Sequence, residues 1–535
     1  MTTNPEFIQK SKKNTRGGGT LGEIVKVLYD EGQTDYGLEP IVLFSAEGEA
    51  VGRVKDGDAV IFCCRRGERE IQLTEAFTDP TLDQFPREKF TNLPFVILTL
   101  YHDKFKDLPV AFAPSRVHST LGEAASKAGL TQARVAESEK FAHVTFFLNG
   151  GNAKPYPLEE DYRIPSLKGV AFDQYPELSL AKVAQQVLDE LDKGTRLVIT
   201  NFANGDVIGH TSNRDAKIKC AEYVDLHLQT VVTAALDAGY VVLITADHGN
   251  LEVLYTEDGS PHVSHTTNLV PLFMIDPLSD AELKPGDGKL ADIAPTMLRI
   301  LGAAIPAEMD GANLAPEHVF GSERKALLVI LDGWGISNDS QADPIDLAAT
   351  PFWDSLKSRY PMAQLAASGD AVGLKAGKAG NSEAGHMNIG AGRVILQDDV
   401  RLDQAMKDGS FYQNEVICET IEGVKARGTS LHLIGLLTEK SSHGSMDYPL
   451  AVLKMARDAG LEHVYLHMIF DGRSTEPGSA PALLALLESK VNEIGIGEIV
   501  SGVGRGIALD RDGNYNKTQK AYDALVYAKG RRAEA

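Results

Sequence analysis

The chain has 535 residues, 43% of them apolar and 24% charged, ordinary values for a soluble globular protein with room for two or three domains. Its net charge of −21 argues against nucleic acid or an anionic membrane as a generic partner, so an anionic substrate needs a local basic cluster to overcome the global field. Cys63, Cys64, Cys220 and Cys418 form no CxxC pair and no disulfide framework, which fits a reducing cytoplasm.

Along the chain, strand and helix signals alternate, the pattern of α/β layers. Residues 1–19 are polar and basic, lack the apolar stretch of a secretory signal, and read as a frayed start or the tail of a linker. Residues 21–29 have apolar side chains at helical spacing, and 60–64 and 95–101 read as buried strands. Pro80, Pro86, Pro94, Pro109 and Pro114 punctuate a loop-rich region. Residues 142–148 read as a strand entering the turn Asn149-Gly-Gly-Asn. A helix is expected over 180–191, with Val183, Val187, Leu188 and Leu191 on one face and Gly194 as its stop. Strands follow at 196–200 and 240–245, on either side of a long helix at 215–238, and a short helix covers 292–301. Residues 303–325, rich in Pro, Ala, Gly and charge, look like a connector. A fully apolar strand at 326–331 then restarts the pattern. Later come strands at 432–437, 464–470 and 498–503 and helices at 450–459, 480–491 and 517–527. The longest apolar runs, 94–101 and 240–246, have strand length, well short of a membrane span.

One stretch organises the rest: Gly380-Asn-Ser-Glu-Ala-Gly-His-Met-Asn-Ile-Gly-Ala-Gly-Arg393. Its glycines let the backbone take positive φ and approach a ligand closely, and Ser382 on such a turn is presented as a nucleophile. A serine is weak at neutral pH and needs an activator. The candidate activator is a set of Asp and His residues where apolar strands end. Residues 197–200 lead into Asp206 and His210, 241–245 into Asp247 and His248, and 327–331 into Asp332. Sites in α/β sheets lie beyond the carboxyl ends of strands, so all of these can face one crevice. His265 is a further candidate, with His262 nearby. Asp and His ligands suit divalent ions such as Mn²⁺ or Zn²⁺. Six protein ligands and one serine oxygen suffice for two metals, which at about 3.5–4 Å or somewhat more apart lower a serine's pKa and clamp a phosphoryl group.

A second set is cationic. Arg66 and Arg69 are three apart and share a face if their segment is helical. Arg473 follows one strand, Arg505 and Arg511 another, and Lys140 precedes the strand expected at 142–148. Arginine's fork matches phosphate and carboxylate in bidentate fashion. His443 can hydrogen-bond a substrate oxygen.

These motifs, with Leu331-Asp-Gly-Trp-Gly, Asn201-Phe-Ala-Asn-Gly-Asp-Val-Ile-Gly-His-Thr, Thr245-Ala-Asp-His-Gly-Asn and Ser264-His-Thr-Thr-Asn, make the chain resemble the cofactor-independent (2,3-bisphosphoglycerate-independent) phosphoglycerate mutases of the alkaline phosphatase superfamily. The resemblance runs from about Gly22 onward, in a different order. In that family the Asp-Gly-Trp-Gly strand opens the chain and the Ala-Asp-His-Gly-Asn segment lies near its end; here the second half comes first, as in a circular permutation.

The resemblance implies an α/β fold of two domains. A three-layer α/β/α phosphatase-like domain would span 116–397, and a smaller α/β transferase domain would be split into 1–115 and 398–535. It implies one Mn²⁺ held by Asp206, His210 and His265 and another by Asp332, Ser382, Asp247 and His248, with other divalent ions admissible. Ser382 would accept phosphate from 3-phosphoglycerate and return it to the 2-oxygen, with no 2,3-bisphosphoglycerate required. Arg473, Arg505, Arg511, Arg66, Arg69, Lys140 and His443 fall on substrate positions. The expectation is a cytoplasmic, monomeric isomerase of glycolysis and gluconeogenesis that takes a small-molecule phosphoglycerate and neither nucleic acid nor membrane.

Three motifs depart from the family. Asp-Gly-Arg-Asp has become Asp471-Gly-Arg-Ser474, Ser-Asp-Gly-Gly-Val-His-Ser-His has become Thr438-Glu-Lys-Ser-Ser-His-Gly-Ser445, and Gly-Arg-Tyr-Tyr has become Gly504-Arg-Gly-Ile. All lie on the glycerate side. Ser474 carries no charge, and Glu439 or Glu476 are the candidates to supply the carboxylate. The alternative function is a metal-dependent phosphatase, or a mutase for another small phosphorylated acid.

Overall fold

The computed structural model describes residues 16–65, 69–113, 117–279, 283–321, 323–439, 441 and 443–534. The chain forms two compact α/β units, one built from 115–400 and the other from 1–114 together with 401–535. No helix among the described residues is long and apolar enough to cross a membrane.

The continuous unit is an eight-stranded sheet in the order Gly288–Lys289, Ala363–Ala366, Val270–Ile275, Tyr240–Thr245, Lys325–Leu331, Leu197–Phe202, Gln132–Glu137, Glu159–Ile164. The last five of these run parallel, and Val270–Ile275 is antiparallel to both of its neighbours. The near-continuous apolar runs of the three central strands, Tyr240–Thr245, Lys325–Leu331 and Leu197–Phe202, are what a parallel sheet covered on both faces requires. Leu331 pairs with Phe202 and Ile330 with Thr245. The three central strands therefore end almost level, just before Asp332, Ala203 and Ala246. Helix Leu180–Lys193 buries Val183, Val187 and Leu191 and ends at Gly194, whose φ of 74° closes the last turn. It packs against Arg214–Asp237 and the adjoining strands. That longer helix starts at Asn213, whose side chain accepts from the Ala216 amide at 3.1 Å.

The second sheet also has eight strands, in the order Arg531–Glu534, Ile41–Phe44, Glu498–Gly504, Val464–Phe470, Leu431–Leu437, Ala59–Phe62, Phe95–Thr99, Val110–Phe112. Six of them, from Glu498–Gly504 to Val110–Phe112, are parallel. Strands from the two ends of the chain alternate in it, since Ile41–Phe44 lies between Arg531–Glu534 and Glu498–Gly504, and Ala59–Phe62 lies beside Leu431–Leu437. Ile61 and Leu433 belong to one core cluster and Val60 and Ile434 to another, the period-2 alternation of a sheet covered on both faces. A chain of polar side chains is buried on that sheet. His432 Nε2 lies 3.2 Å from Asp58 Oδ2, His432 Nδ1 lies 2.9 Å from His467 Nε2, and His467 Nδ1 lies 2.8 Å from Ser501 Oγ.

Most expected elements are present, with ends shifted by a few residues. Two expectations fail. Residues 142–148 are not a strand; His143–Phe147 is a π-helical turn. The β-branched and aromatic run suggests a strand, but the backbone turns back after Gln132–Glu137. Thr145 Oγ1 donates to the Phe141 carbonyl at 2.7 Å, and the carbonyl of Leu148 abuts Gly390. The glycine-rich stretch is not a loop either, because Ser382–Ala391 is a helix, capped by Asn381 Oδ1 on the Ala384 amide at 2.9 Å. Gly385 and Gly390 serve close approach, not positive φ. A Cβ would come within 2.6 Å of the Asp247 carbonyl oxygen at Gly385 and within 1.8 Å of that of Leu148 at Gly390.

Candidate metal and phosphoryl site

The short helix Asn204–Gly209 follows strand Leu197–Phe202 and sets Asp206 and His210 four apart, on one face. Asp247 and His248 follow Tyr240–Thr245 after Ala246, and Asp332 follows Lys325–Leu331. Asp247, His248 and Asp332 are fully buried. The N-terminal turn of Ser382–Ala391 brings Ser382 among them.

Asp206 Oδ1 lies 3.2 Å from His210 Nε2 and 3.0 Å from His265 Nε2, and the two Nε2 atoms are 3.1 Å apart. His210 Nδ1 meets the Val263 carbonyl at 2.8 Å and His265 Nδ1 the Gly380 carbonyl at 2.8 Å. A carbonyl oxygen only accepts, so each Nδ1 carries the proton and each neutral Nε2 presents a lone pair. Three acceptors converging in this way need an extra proton or a cation between them. The hydrogen bond from His210 to Asp206 raises the His210 value. Burial opposes the same effect at His265, but the Asp206 carboxylate prevails.

The second cluster centres on Ser382. Its Oγ lies 3.0 Å from His248 Nε2, 2.7 Å from Lys140 Nζ and 3.2 Å from Asp332 Oδ1. His248 Nδ1 faces the Gly249 carbonyl at 3.2 Å, which again leaves Nε2 as the acceptor. Asp247 Oδ1 receives the amides of His248 and Gly333 at 3.1 and 3.2 Å. Its buried Oδ2 has no hydrogen bond among the described residues, although His248 Nε2 lies 3.4 Å away. An unbonded buried carboxylate oxygen is costly unless an ion takes it. The donor set of Asp, His and a serine oxygen, with these lone pairs converging, fits two divalent cations.

Lys140 Nζ bonds Asp206 Oδ2 at 2.7 Å and Asp332 Oδ1 at 2.6 Å. Burial lowers its value, but the Asp332, Asp206 and Asp247 carboxylates raise it well above the usual lysine range, so it is an ammonium. For Asp206 and Asp247 burial opposes ionisation, yet Lys140 and the histidines hold both carboxyls far below their usual range. Burial and the neighbouring Asp247 push Asp332 the other way.

In the split unit, Cys63–Arg65, Thr438–Ser445, Asp471–Ser474 and Arg505 follow the carboxyl ends of four adjacent parallel strands. Arg505 is buried and pairs through Nη1 with Asp471 Oδ1. Asp471 Oδ2 accepts the Ser474 amide at 3.2 Å. Arg69 is buried, precedes the helix Ile71–Thr78 and donates to the Leu509 carbonyl at 3.2 Å. His443 Nδ1 lies 3.1 Å from Oε1 of the fully buried Glu70. Arg473, Ser474, Glu439, Glu476 and Arg511 are exposed.

The structure thus gathers Asp206, His210, Asp247, His248, His265, Asp332 and Ser382. It also moves Lys140 from the arginines to this carboxylate cluster. His262 is not drawn in; its carbonyl takes Lys217 Nζ at 2.6 Å. Arg66 lies outside the described residues. The sequence reading missed four residues. Asn250 Nδ2 steadies Asp206 Oδ1 at 3.1 Å and Asn201 Nδ2 steadies Asp332 Oδ2 at 2.6 Å. His386 Nδ1 donates to the Ser382 carbonyl at 2.9 Å, and its Nε2 faces Asn201 Nδ2 at 3.1 Å. Both of its nitrogens are engaged, and it sits close enough to Asp247 and Asp332 to complete a ligand triangle. Its i+4 spacing from Ser382 was the signal available. Glu70, the fourth, gave none.

Residues 13–305 match the model of the metalloenzyme superfamily, and residues 402–535 match that of the BPG-independent PGAM N-terminus. The 2,3-bisphosphoglycerate-independent phosphoglycerate mutase of Salinibacter ruber is 43% identical over 297 residues, 55% of this chain and 56% of that protein. That of Symbiobacterium thermophilum is 40% identical over 308 residues, 57% and 58% of the two chains. The chain spans a little over half the length of these curated relatives. A crystal structure of Leishmania mexicana phosphoglycerate mutase at low cobalt concentration aligns with a TM-score of 0.39 and 27% identity, over 50% of this chain and 52% of that one.

Proposed function

The chain belongs to the metalloenzyme superfamily, and on that premise we propose that it is a phosphoglycerate mutase of glycolysis and gluconeogenesis, interconverting 3-phosphoglycerate and 2-phosphoglycerate through a phosphoserine at Ser382 without 2,3-bisphosphoglycerate. The observation that carries this reading is Ser382 Oγ set between Lys140 Nζ at 2.7 Å and His248 Nε2 at 3.0 Å, at the first turn of a helix. The names of the relatives supply the substrate.

Asp206, His210 and His265 would hold one divalent ion, Mn²⁺ by the family resemblance, and Asp332, Asp247, His248 and Ser382 the other. Bound there, the ions lower the pKa of the serine hydroxyl and offset the charge of a transferring phosphoryl group. Asp332, whose Oδ1 lies 3.2 Å from the serine Oγ, takes its proton. Lys140 donates to the serine oxygen and balances its charge, and the amides of the Ser382–Ala391 N-terminus favour a phosphate there. Arg69, Arg473, Arg505, Arg511 and Arg66 would bind the substrate's anionic groups, with His443 and Ser474 on its hydroxyls. Residues 116–397 are then the phosphatase-like domain and 1–115 with 398–535 the transferase domain. A match to a model described as an N-terminus, placed at 402–535, supports a circularly permuted order. The described cysteines are all free, which suits a reducing compartment such as the cytoplasm.

The test is an assay of 2-phosphoglycerate formation from 3-phosphoglycerate with Mn²⁺, with and without 2,3-bisphosphoglycerate. Turnover that EDTA abolishes and that ignores the bisphosphate is expected. Ser474, which carries no carboxylate, favours one second reading, a phosphatase. Release of inorganic phosphate with no 2-phosphoglycerate would establish that reading.

A further inference from the structure

The carboxylates at the strand ends of the split unit are unequal. Asp471 is held by Arg505 and by the Ser474 amide. Glu439 and Glu476, the sequence candidates to replace a charge at 474, are both exposed. Glu70 is fully buried. Its Oε1 meets His443 Nδ1 at 3.1 Å, and its Oε2 has no hydrogen-bond partner among the described residues. Removing a carboxylate from water for a single bond is expensive, and the hydrogen-bond partner found among the described residues is an imidazole of which 14% remains exposed.

The loop around His443 is fixed from several sides. Its carbonyl accepts the Arg65 amide at 2.8 Å, its amide donates to Ser441 Oγ at 3.3 Å, and Gly444 bridges Cys64. Ser474 Oγ lies 3.4 Å from the same Ser441 Oγ. Ser441 thus ties the loop that carries His443 to the loop that carries the uncharged Ser474. A carboxylate on Nδ1 fixes the tautomer, leaves Nε2 to exchange protons, and favours the imidazolium when it forms. Burial raises the Glu70 carboxyl above its ordinary value, and the bond to His443 opposes this.

We propose that Glu70 is the positioning residue for His443, and that His443 Nε2 is the acid and base of the glycerate half of the reaction, in the role left open by Ser474. The proposal rests on the mutase reading above. In the first transfer Ser382 Oγ bonds phosphorus, the bond from phosphorus to the 3-oxygen breaks, and His443 Nε2–H protonates the departing oxygen. In the second the 2-hydroxyl gives its proton to Nε2 as its oxygen bonds phosphorus, and the bond from phosphorus to Ser382 Oγ breaks as that oxygen recovers from Asp332 the proton it gave up. The imidazole and the serine end as they began.

The test has two arms, both on the full chain. In the first, ¹⁵N spectra of histidine-labelled protein follow His443 through its titration, assigned by the signal lost in His443→Gln. The expected neutral form carries its proton on Nδ1, the reverse of free histidine, and Glu70→Gln removes that bias. A neutral form protonated on Nε2 in the wild type overturns the proposal. In the second, Glu70→Gln should lower kcat about 10- to 100-fold, by analogy with the carboxylates that orient metal-bound imidazoles, with KM little changed. Glu70→Asp should restore part of the rate and also serves should the glutamine variant fail to fold. Unchanged kcat with a shifted tautomer overturns the acid–base role. A wild-type chain without mutase turnover sinks the functional reading, and the spectra still decide whether Glu70 positions His443.

Discussion

At the scale of single residues, the metal centre is defined by lone pairs. His210, His248 and His265 each spend Nδ1 on a backbone carbonyl and turn Nε2 inward. Protonation of any of them removes a ligand, so metal content should fall as pH drops through the histidine range. His265→Ala and Asp247→Asn should each lose metal, measured by elemental analysis after desalting, along with rate. Full metal content in both would refute the two-cation reading. Ser382→Ala should fold and hold substrate yet show no turnover, because the hydroxyl is the proposed phosphoryl carrier. Wild type quenched shortly after mixing with substrate should carry phosphate on Ser382, detected by mass spectrometry, and retained turnover in the alanine variant would exclude the mechanism. These ligands were legible in sequence because each sits where an apolar run stops. Glu70 and Asn250 were not, since their roles depend on which strand ends become neighbours.

At the scale of elements, the helix Ser382–Ala391 shows what periodicity misses. Its glycines read as a loop, but they are small so that Asp247 and Leu148 can approach, and packing overrides propensity there. Gly390→Ala should therefore destabilise the fold by roughly 3 kcal/mol or more, because the added carbon meets backbone that cannot yield. A melting temperature within error of wild type would count against this packing. The buried pair His432 and His467 makes a second element-scale prediction. Burial depresses both imidazoles below their ordinary value of 6.5, His467 well below it. On unfolding under mildly acid conditions they take up protons, so the unfolded chain binds more. Their contribution to stability is complete above that ordinary value and is lost as pH falls towards the depressed native values, by about 1.4 kcal/mol per pH unit for each. Urea unfolding of His467→Gln should decline less steeply than wild type between about pH 7.5 and 5.5; equal slopes would refute it. The central parallel strands were legible as apolar runs, whereas the polar strands Gln132–Glu137 and Glu159–Ile164 and the turn at His143–Phe147 were not. Its Val-Thr-Phe-Phe content is strand-like, and only the route of the chain from Lys140 to Leu148 makes it wind.

At the scale of the whole molecule, the alternation of strands and helices revealed α/β layering and the family resemblance implied two domains, but strand order was invisible, because it depends on pairings hundreds of residues apart. The continuous unit holds every proposed metal ligand. Residues 115–400 expressed alone should fold and bind metal without isomerising phosphoglycerate, as they lack the arginines at 69, 473, 505 and 511. Mutase turnover by that fragment would overturn the division of labour. The interleaved sheet of the other unit also has a consequence for synthesis on the ribosome. Ala59–Phe62 and Phe95–Thr99 are made early, yet the strand that completes them, Leu431–Leu437, is made far later. At about 5–20 residues per second the nascent chain waits roughly 20–70 s with an apolar edge unpaired, while the metal-binding unit has time to close. A ribosome that stalls between Val400 and Leu431 therefore leaves a finished phosphoryl site tethered to half a sheet, a species that chaperones must shield from sticking to its neighbours.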